Sequence, residues 1–190
     1  MKVVGFLGTP STTELSSKIA TRFLETARSL SAQVQIFELH KLTYSRCQVC
    51  MGCKVVGHCV LQDDLTEILE TVREADVLVL ASPLRSGDVT YQLKALIERI
   101  NCFIEPDYLT NPQPSRLKPG KKLVFILTQE QPDESVVADT YARYEYFLRW
   151  CGFHDNHLIQ VCGKDAMGDL QSRIHIIKVA EETAKQIVQG

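Results

Sequence analysis

No apolar run in this 190-residue chain approaches the roughly 20 residues that a helix needs to cross a bilayer. Its longest apolar stretches have strand length, so no membrane partner is expected. A basic excess is also lacking. Twenty-one Lys and Arg stand against 23 Asp and Glu, a net charge of −2, so nothing drives phosphate-backbone binding and nucleic acid is excluded as a partner. The Lys of a P-loop and the G-x-G-x-x-G of a dinucleotide fold are missing, which disfavours ATP and Rossmann-style NAD binding. Equally absent are G-x-S-x-G, H-E-x-x-H, paired carboxylates and the C-x5-R loop of small phosphatases, which removes the main hydrolase readings. The chain has no internal repeat and no low-complexity tract. The opening Met1–Ser11 has one Lys before its apolar run but no leucine-rich tract or cleavage pattern, so it reads as a first strand and not a signal peptide.

What is present is ordinary globular material: 45% apolar and 23% charged residues. A chain of this length buries enough surface to fold without a disulfide or metal. Seven cysteines nevertheless occur, four of them at 47, 50, 53 and 59. A tight cluster without an export signal points to a reducing, cytoplasmic setting and to metal chemistry. Cys102, Cys151 and Cys162 lie in or beside apolar stretches and read as packing residues.

Strand and helix periods alternate along the chain. Strands are expected at 3–7, 34–39, 77–81, 123–127 and 158–161. Helices are expected at 15–30, from Asp64 to Arg73 with Asp64 and Glu67 as a capping box, and at 89–102, 135–150 and 170–188. Short apolar strands interleaved with helices predict a five-stranded parallel α/β sheet, doubly wound and flavodoxin-like, in the order 2-1-3-4-5. One domain over 1–190 is expected, with a cysteine-rich insertion at about 44–63 that reads as loop. The stretch 104–119, punctuated by Pro106, Pro112, Pro114 and Pro119, is a long connection of the kind that carries function or an interface. Tyr141, Tyr144, Tyr146 and Trp150 read as a helix face packed on the sheet or on a partner. His154 and His157 read as surface turn.

Ligands of such sheets bind beyond the carboxyl ends of strands 1 and 3. After strand 1, residues 8–17 carry six hydroxyls, Thr9, Ser11, Thr12, Thr13, Ser16 and Ser17, leading into a helix. Hydroxyls and free N–H groups at a helix N-terminus make a phosphate site; the same residues can also serve simply as caps. Glu14 must turn its charge away from any phosphate. After strand 3 come Ser82, Pro83, Leu84, Arg85, Ser86 and Gly87, where Pro83 fixes the exit and Gly87 permits close backbone approach of a planar ring. An ordinary strand-to-helix turn is the alternative.

GTPSTTELSS, CQVCMGCKVVGHCVLQDDL and ADVLVLASPLRSGDVTYQLKALIERI follow one another in a way that resembles the NADPH-dependent FMN reductase family. The spacing C-x2-C-x2-C-x5-C is similar to its iron–sulfur flavoprotein branch. The resemblance covers the order of elements from residue 2 to about 102. It implies FMN, with the phosphate on Thr9, Ser11, Ser16 and Ser17 and the isoalloxazine against Ser82, Pro83, Leu84, Arg85, Ser86 and Gly87. Departures are Leu15 for a frequent Asn, Arg85 for a frequent aromatic, and a Gly-poor third loop at 128–131. Four thiolates from one segment can each ligate one iron of a 4Fe–4S cube. Cysteines without metal, and zinc or thiol redox chemistry, stay open as alternatives. The expected protein is a cytoplasmic FMN flavoprotein passing electrons between a donor and an acceptor, with NAD(P)H as a candidate co-substrate. A cluster-free FMN or quinone reductase and a non-catalytic electron carrier are the alternatives. The exposed flavin face and the irregular segments predict a homodimer or homotetramer.

Overall fold

A computed structural model describes residues 1–11, 13–163 and 170–190, with side chains in the last stretch from 174 onward. Thr12, one of the six loop hydroxyls, lies outside the described residues. The strands are β1 Lys2–Leu7, β2 Gln33–Glu38, β3 Val77–Pro83, β4 Lys121–Gln129 and β5 Phe153–Cys162. They form one all-parallel sheet in the order β2-β1-β3-β4-β5, as the alternation of elements predicts. The helices are α1 Leu15–Ser29, α2 Gly52–Val56, α3 Leu65–Glu74, α4 Tyr91–Ile100, α5 Glu134–Trp150 and α6 Leu170–Gln189. Among the described residues no helix is long and apolar enough to cross a membrane.

Side chains alternate across the pleat, so the sheet separates two cores. Val4, Phe6, Leu78, Leu80 and Phe125 face α3, α4 and α5, where they meet Ile68, Leu93, Leu96 and Leu148. Val3, Val77, Val79, Val124 and Ile126 face α1 and α6, against Ile19, Phe23, Ala180 and Ile187. β3 is buried along its whole length. Tyr141 and Tyr144 set their edges against Phe125 of the sheet. Trp150 also packs partly on this core and meets Tyr108 of the proline-rich connection, whereas Tyr146 is exposed.

Three expectations are corrected. Asp64 makes no side-chain cap; Asp63 does this work, its Oδ1 accepting from Leu65 N–H at 3.0 Å. Asp64 turns back to accept from Thr43 N–H at 2.6 Å. The cysteine segment is not all loop, since α2 makes one turn within it. β5 starts well before 158, so His154 and His157 lie in a strand. β5 pairs with β4 on one side only, which lets its first half stay polar.

Cys151 is fully buried in the main core, and burial holds its thiol far above the usual value of 9.0. In the fold it therefore stays protonated while its unfolded counterpart ionises. The resulting stabilisation is complete below pH 9 and is lost as pH rises beyond it. Each such thiol steepens the alkaline loss of stability by about 1.4 kcal/mol per pH unit. Guanidinium unfolding of reduced protein between pH 8 and 11 should show a shallower fall for Cys151→Ala than for wild type.

Candidate functional site

The strand order reverses between β1 and β3, and their carboxyl ends stand side by side. Gly8 N–H donates to Ala81 O at 2.8 Å. A Cβ on Gly8 would lie 2.7 Å from Thr90 Oγ1 and 3.0 Å from Ala81 O, so only glycine lets the first loop leave this close to β3. Three loops meet here. Glu14, Leu15, Pro83, Leu84, Arg85 and Thr128 line a shallow cleft of about 60 Å³, together with the start of the third loop.

Among the described residues no hydroxyl of the first loop caps α1. The N-cap position is Glu14, with no side-chain cap bond. Thr9 Oγ1 accepts from Ser11 N–H at 3.3 Å, and the Ser11 and Thr13 hydroxyls bond each other at 2.7 Å. Ser16 and Ser17, in the first turn of α1, are buried, and among the described residues their Oγ atoms find no partner. Buried polar groups are normally paired, and the first N–H groups of a helix are unsatisfied by geometry. A group carrying several acceptor oxygens would satisfy both sets at once. The Glu14 carboxylate is held by Arg85 Nη2 at 2.8 Å, across the cleft on the second loop.

The second loop is a tight turn. Ser86 and Gly87 have φ of 52° and 76°, and Arg85 and Asp88 exchange backbone hydrogen bonds of 2.8 and 3.1 Å. Two consecutive left-handed residues are the geometry of a two-residue hairpin turn. Gly87 O accepts from Thr140 Oγ1 at 3.1 Å. The Asp88 carboxylate accepts from Lys94, Tyr144 and Val89 N–H. Burial pushes that carboxyl up, but these donors outweigh it and hold it below the usual range. Ser82 lies beneath: it is fully buried, and its Oγ accepts from Thr90 N–H at 3.0 Å while donating to Pro83 O. Pro83 and Leu84 are buried, whereas Arg85, Ser86 and Gly87 are exposed.

The four loop cysteines are all free; Cys50 is exposed and Cys47, Cys53 and Cys59 are half-buried. Burial pushes the Cys53 thiol up and Lys54 pulls it down, while Cys59, Cys47 and Cys50 are each close enough to raise it further. Among the described residues no three His, Cys, Asp or Glu side chains converge on one ion. Val49 and Met51 take left-handed φ of 53° and 60°, a conformation uncommon outside glycine and most unusual for the β-branched Val49. The base of the loop is tied down by cations that sequence reasoning missed. Arg99 of α4 bonds Ser45 O, Leu61 O, Asp63 and the Cys59 sulfur. Lys54 reaches Asn101 O and Ile104 O, and Arg116 reaches Cys53 O. One signal was available: position 99 continues the stripe of Ala95, Leu96, Cys102 and Phe103, where a charge needs a buried partner. A larger cleft of about 600 Å³ is shared by both loops, with Cys47 and Val49 on one wall and Asp88, Lys94 and Tyr144 on the other.

The family model described as NADPH-dependent FMN reductase matches residues 1–144. The chain belongs to this family. Among curated relatives, an iron-sulfur flavoprotein of Methanosarcina thermophila is 32% identical over 99 residues, 52% of each chain. One of Archaeoglobus fulgidus is 33% identical over 100 residues, 53% of this chain and 46% of that protein. The chain thus spans about half the length of the curated relatives it matches. In fold it is similar to an FMN-dependent NADH-azoreductase from Bacillus anthracis solved with FMN, with a TM-score of 0.76 at 16% identity over 98% of this chain and 99% of that one. An NAD(P)H:quinone oxidoreductase from Methanothermobacter marburgensis gives 0.75 at 17% identity, over 98% and 96%. The flavodoxin-like fold expected of an FMN reductase family member is therefore present.

Proposed function

We propose that the protein is an FMN-dependent oxidoreductase whose cysteine loop carries a 4Fe–4S cluster, passing electrons between a reduced donor and an acceptor. The observation that carries the flavin part is the pair of buried hydroxyls of Ser16 and Ser17 at the N-terminus of α1, which have no partner among the described residues. Family membership supports it. Thr9, Ser11, Ser16 and Ser17 would hold the phosphate, with the helix dipole adding favourable charge. Pro83 to Gly87 would present backbone to the ring, and Ser82 would fix the turn from below. FMN, when bound, supplies a centre able to accept a hydride or single electrons.

The donor set suits an iron–sulfur cluster in its chemistry: four free thiols stand on one segment, on a loop wound through left-handed residues. Cys47, Cys50, Cys53 and Cys59 would each hold one iron. The names of the curated relatives support this reading. A cluster supplies one-electron exchange at a potential set by its surroundings. The shared cleft between Cys47 and Asp88 favours electron exchange between the two loops. NAD(P)H is the proposed small-molecule donor, and the quinone and azo reductases of like fold suggest aromatic acceptors. The tip of the cysteine loop bares Val49, Met51, Val55 and Val56, at 75, 57, 87 and 50% exposure. Such apolar clusters mark contacts between chains, so we place a second copy against this tip in a homodimer or homotetramer.

Flavin placement is tested by titrating apoprotein with FMN and following fluorescence quenching. Ser16→Asp with Ser17→Asp should weaken binding at least tenfold, because two carboxylates would oppose the phosphate charge. Glu14→Gln should tighten it, since it removes a negative charge and a Glu14–Arg85 pair worth about 1 kcal/mol or less. Unchanged affinity in the double variant would move the phosphate elsewhere.

Cluster binding is tested by anaerobic reconstitution with iron and sulfide. Wild type should bind about four of each per chain and gain a broad visible band. Cys50→Ala should lose both while keeping FMN. Stoichiometric FMN without iron in wild type would leave a cluster-free NAD(P)H-dependent reductase as the function.

Light scattering at micromolar concentration should show a dimer or tetramer, and Val49→Lys with Val55→Lys should dissociate it. A monomeric wild type would refute the placement of the second copy.

A further inference from the structure

The cysteine loop is governed by one buried cation. The Arg99 side chain has no exposure, and a guanidinium has five N–H donors in a fixed fork. All five are spent on residues 45–63. Nη1 donates to Asp63 Oδ2 at 2.7 Å and Ser45 O at 2.9 Å; Nη2 donates to Asp63 Oδ1 at 3.1 Å and Leu61 O at 3.4 Å. Nε donates to Cys59 Sγ at 3.0 Å. Four of these bonds already join the two ends of the loop. The fifth adds nothing to that closure and aims a positively charged donor at a sulfur.

We infer that Arg99 is a positioning residue for the cluster, fixing Cys59 and raising the cluster's reduction potential. This rests on the reading that the four cysteines hold a 4Fe–4S cluster. Reduction adds a negative charge that is shared with the ligand sulfurs, and hydrogen bonds to those sulfurs and nearby net charge set the potential. A cation kept from water by burial is weakly screened and acts strongly at this range. Its charge is balanced by one carboxylate, Asp63, which also accepts from the N–H groups of Ser45 and Leu65. Lys54 and Arg116 lie equally near the loop, but their donors go to carbonyls and to Glu105. Among the described residues Arg99 is the side-chain donor that reaches a sulfur of the loop.

The test is an anaerobic potentiometric titration of reconstituted holoprotein with dithionite and mediators, read by electron paramagnetic resonance. Arg99→Lys keeps a cation opposite Asp63 but has no N–H in the Nε position. Its equilibrium constant for reduction should fall about tenfold, a downward shift of about 59 mV for one electron. Asp63→Asn loosens the same loop while leaving the Arg99 cation on Cys59 and removing a negative charge, so its potential should shift upward. Opposite shifts support the inference, because loosening alone would move both variants the same way. Equal potentials in wild type and Arg99→Lys, or shifts of one sign in both variants, overturn it. Loss of the cluster from Arg99→Lys with fold and FMN intact overturns the effect on potential and leaves Arg99 only the fixing of Cys59. Wild type that takes up no iron fails at the earlier step, before any variant is compared, and takes the inference with it.

Discussion

β3 is buried on both faces from Val77 to Pro83, and the rest of the chain is arranged around keeping water from it. A strand with apolar residues on both sides needs a layer of helices on each, and parallel neighbours need crossovers long enough to hold them. α1 and α6 supply one layer, and α3, α4 and α5 the other. Because β1 and β2 extend the sheet to one side of β3 while β4 and β5 extend it to the other, the chain reverses direction at β1 and β3. The two loops leaving there must diverge, and a cleft opens between them. The site is a by-product of burying one strand.

That constraint explains which elements the sequence announces. The run Val77-Leu78-Val79-Leu80-Ala81 carries no polar residue because neither face meets water. The opening run Val3–Leu7 is nearly as plain. The apolar pattern marks only the second half of β5. Its first half, His154-Asp155-Asn156-His157, pairs with β4 alone and keeps polar side chains, so periodicity cannot separate it from a turn. Spacing marks the start of α3, yet two adjacent aspartates both suit a cap. Asp63 takes that role because Arg99 already fixes its carboxylate; Asp64 is left free to bond Thr43.

Site legibility divides along the same line between local and distant. The hydroxyl-rich loop and the four cysteines are contiguous, so their chemistry could be read directly. Burial of the Ser16 and Ser17 hydroxyls without partners could not, since it depends on how closely the loop folds over the first turn. The Arg99 network was equally hidden: its acceptors lie 36 to 54 residues away in the chain. Neither α2 nor the left-handed Val49 and Met51 has a propensity signal. Tertiary ties at the base of the loop impose them, and those ties come from α4 and the proline-rich connection.

Cys53 and Cys59 pack against the core shared by α3, α4 and α5, whereas the hydroxyl-bearing helix α1 belongs to the core on the opposite face. The sheet lies between them as a partition. Substitutions accumulating in one layer therefore leave the support of the other nearly unstrained, since effects of well-separated sites add. A lineage of this fold can erode its thiol loop without disturbing the opposite wall, or remodel the α1 wall beneath an unchanged thiol loop. The architecture separates the two inheritances, so gain or loss of one need not wait on the other.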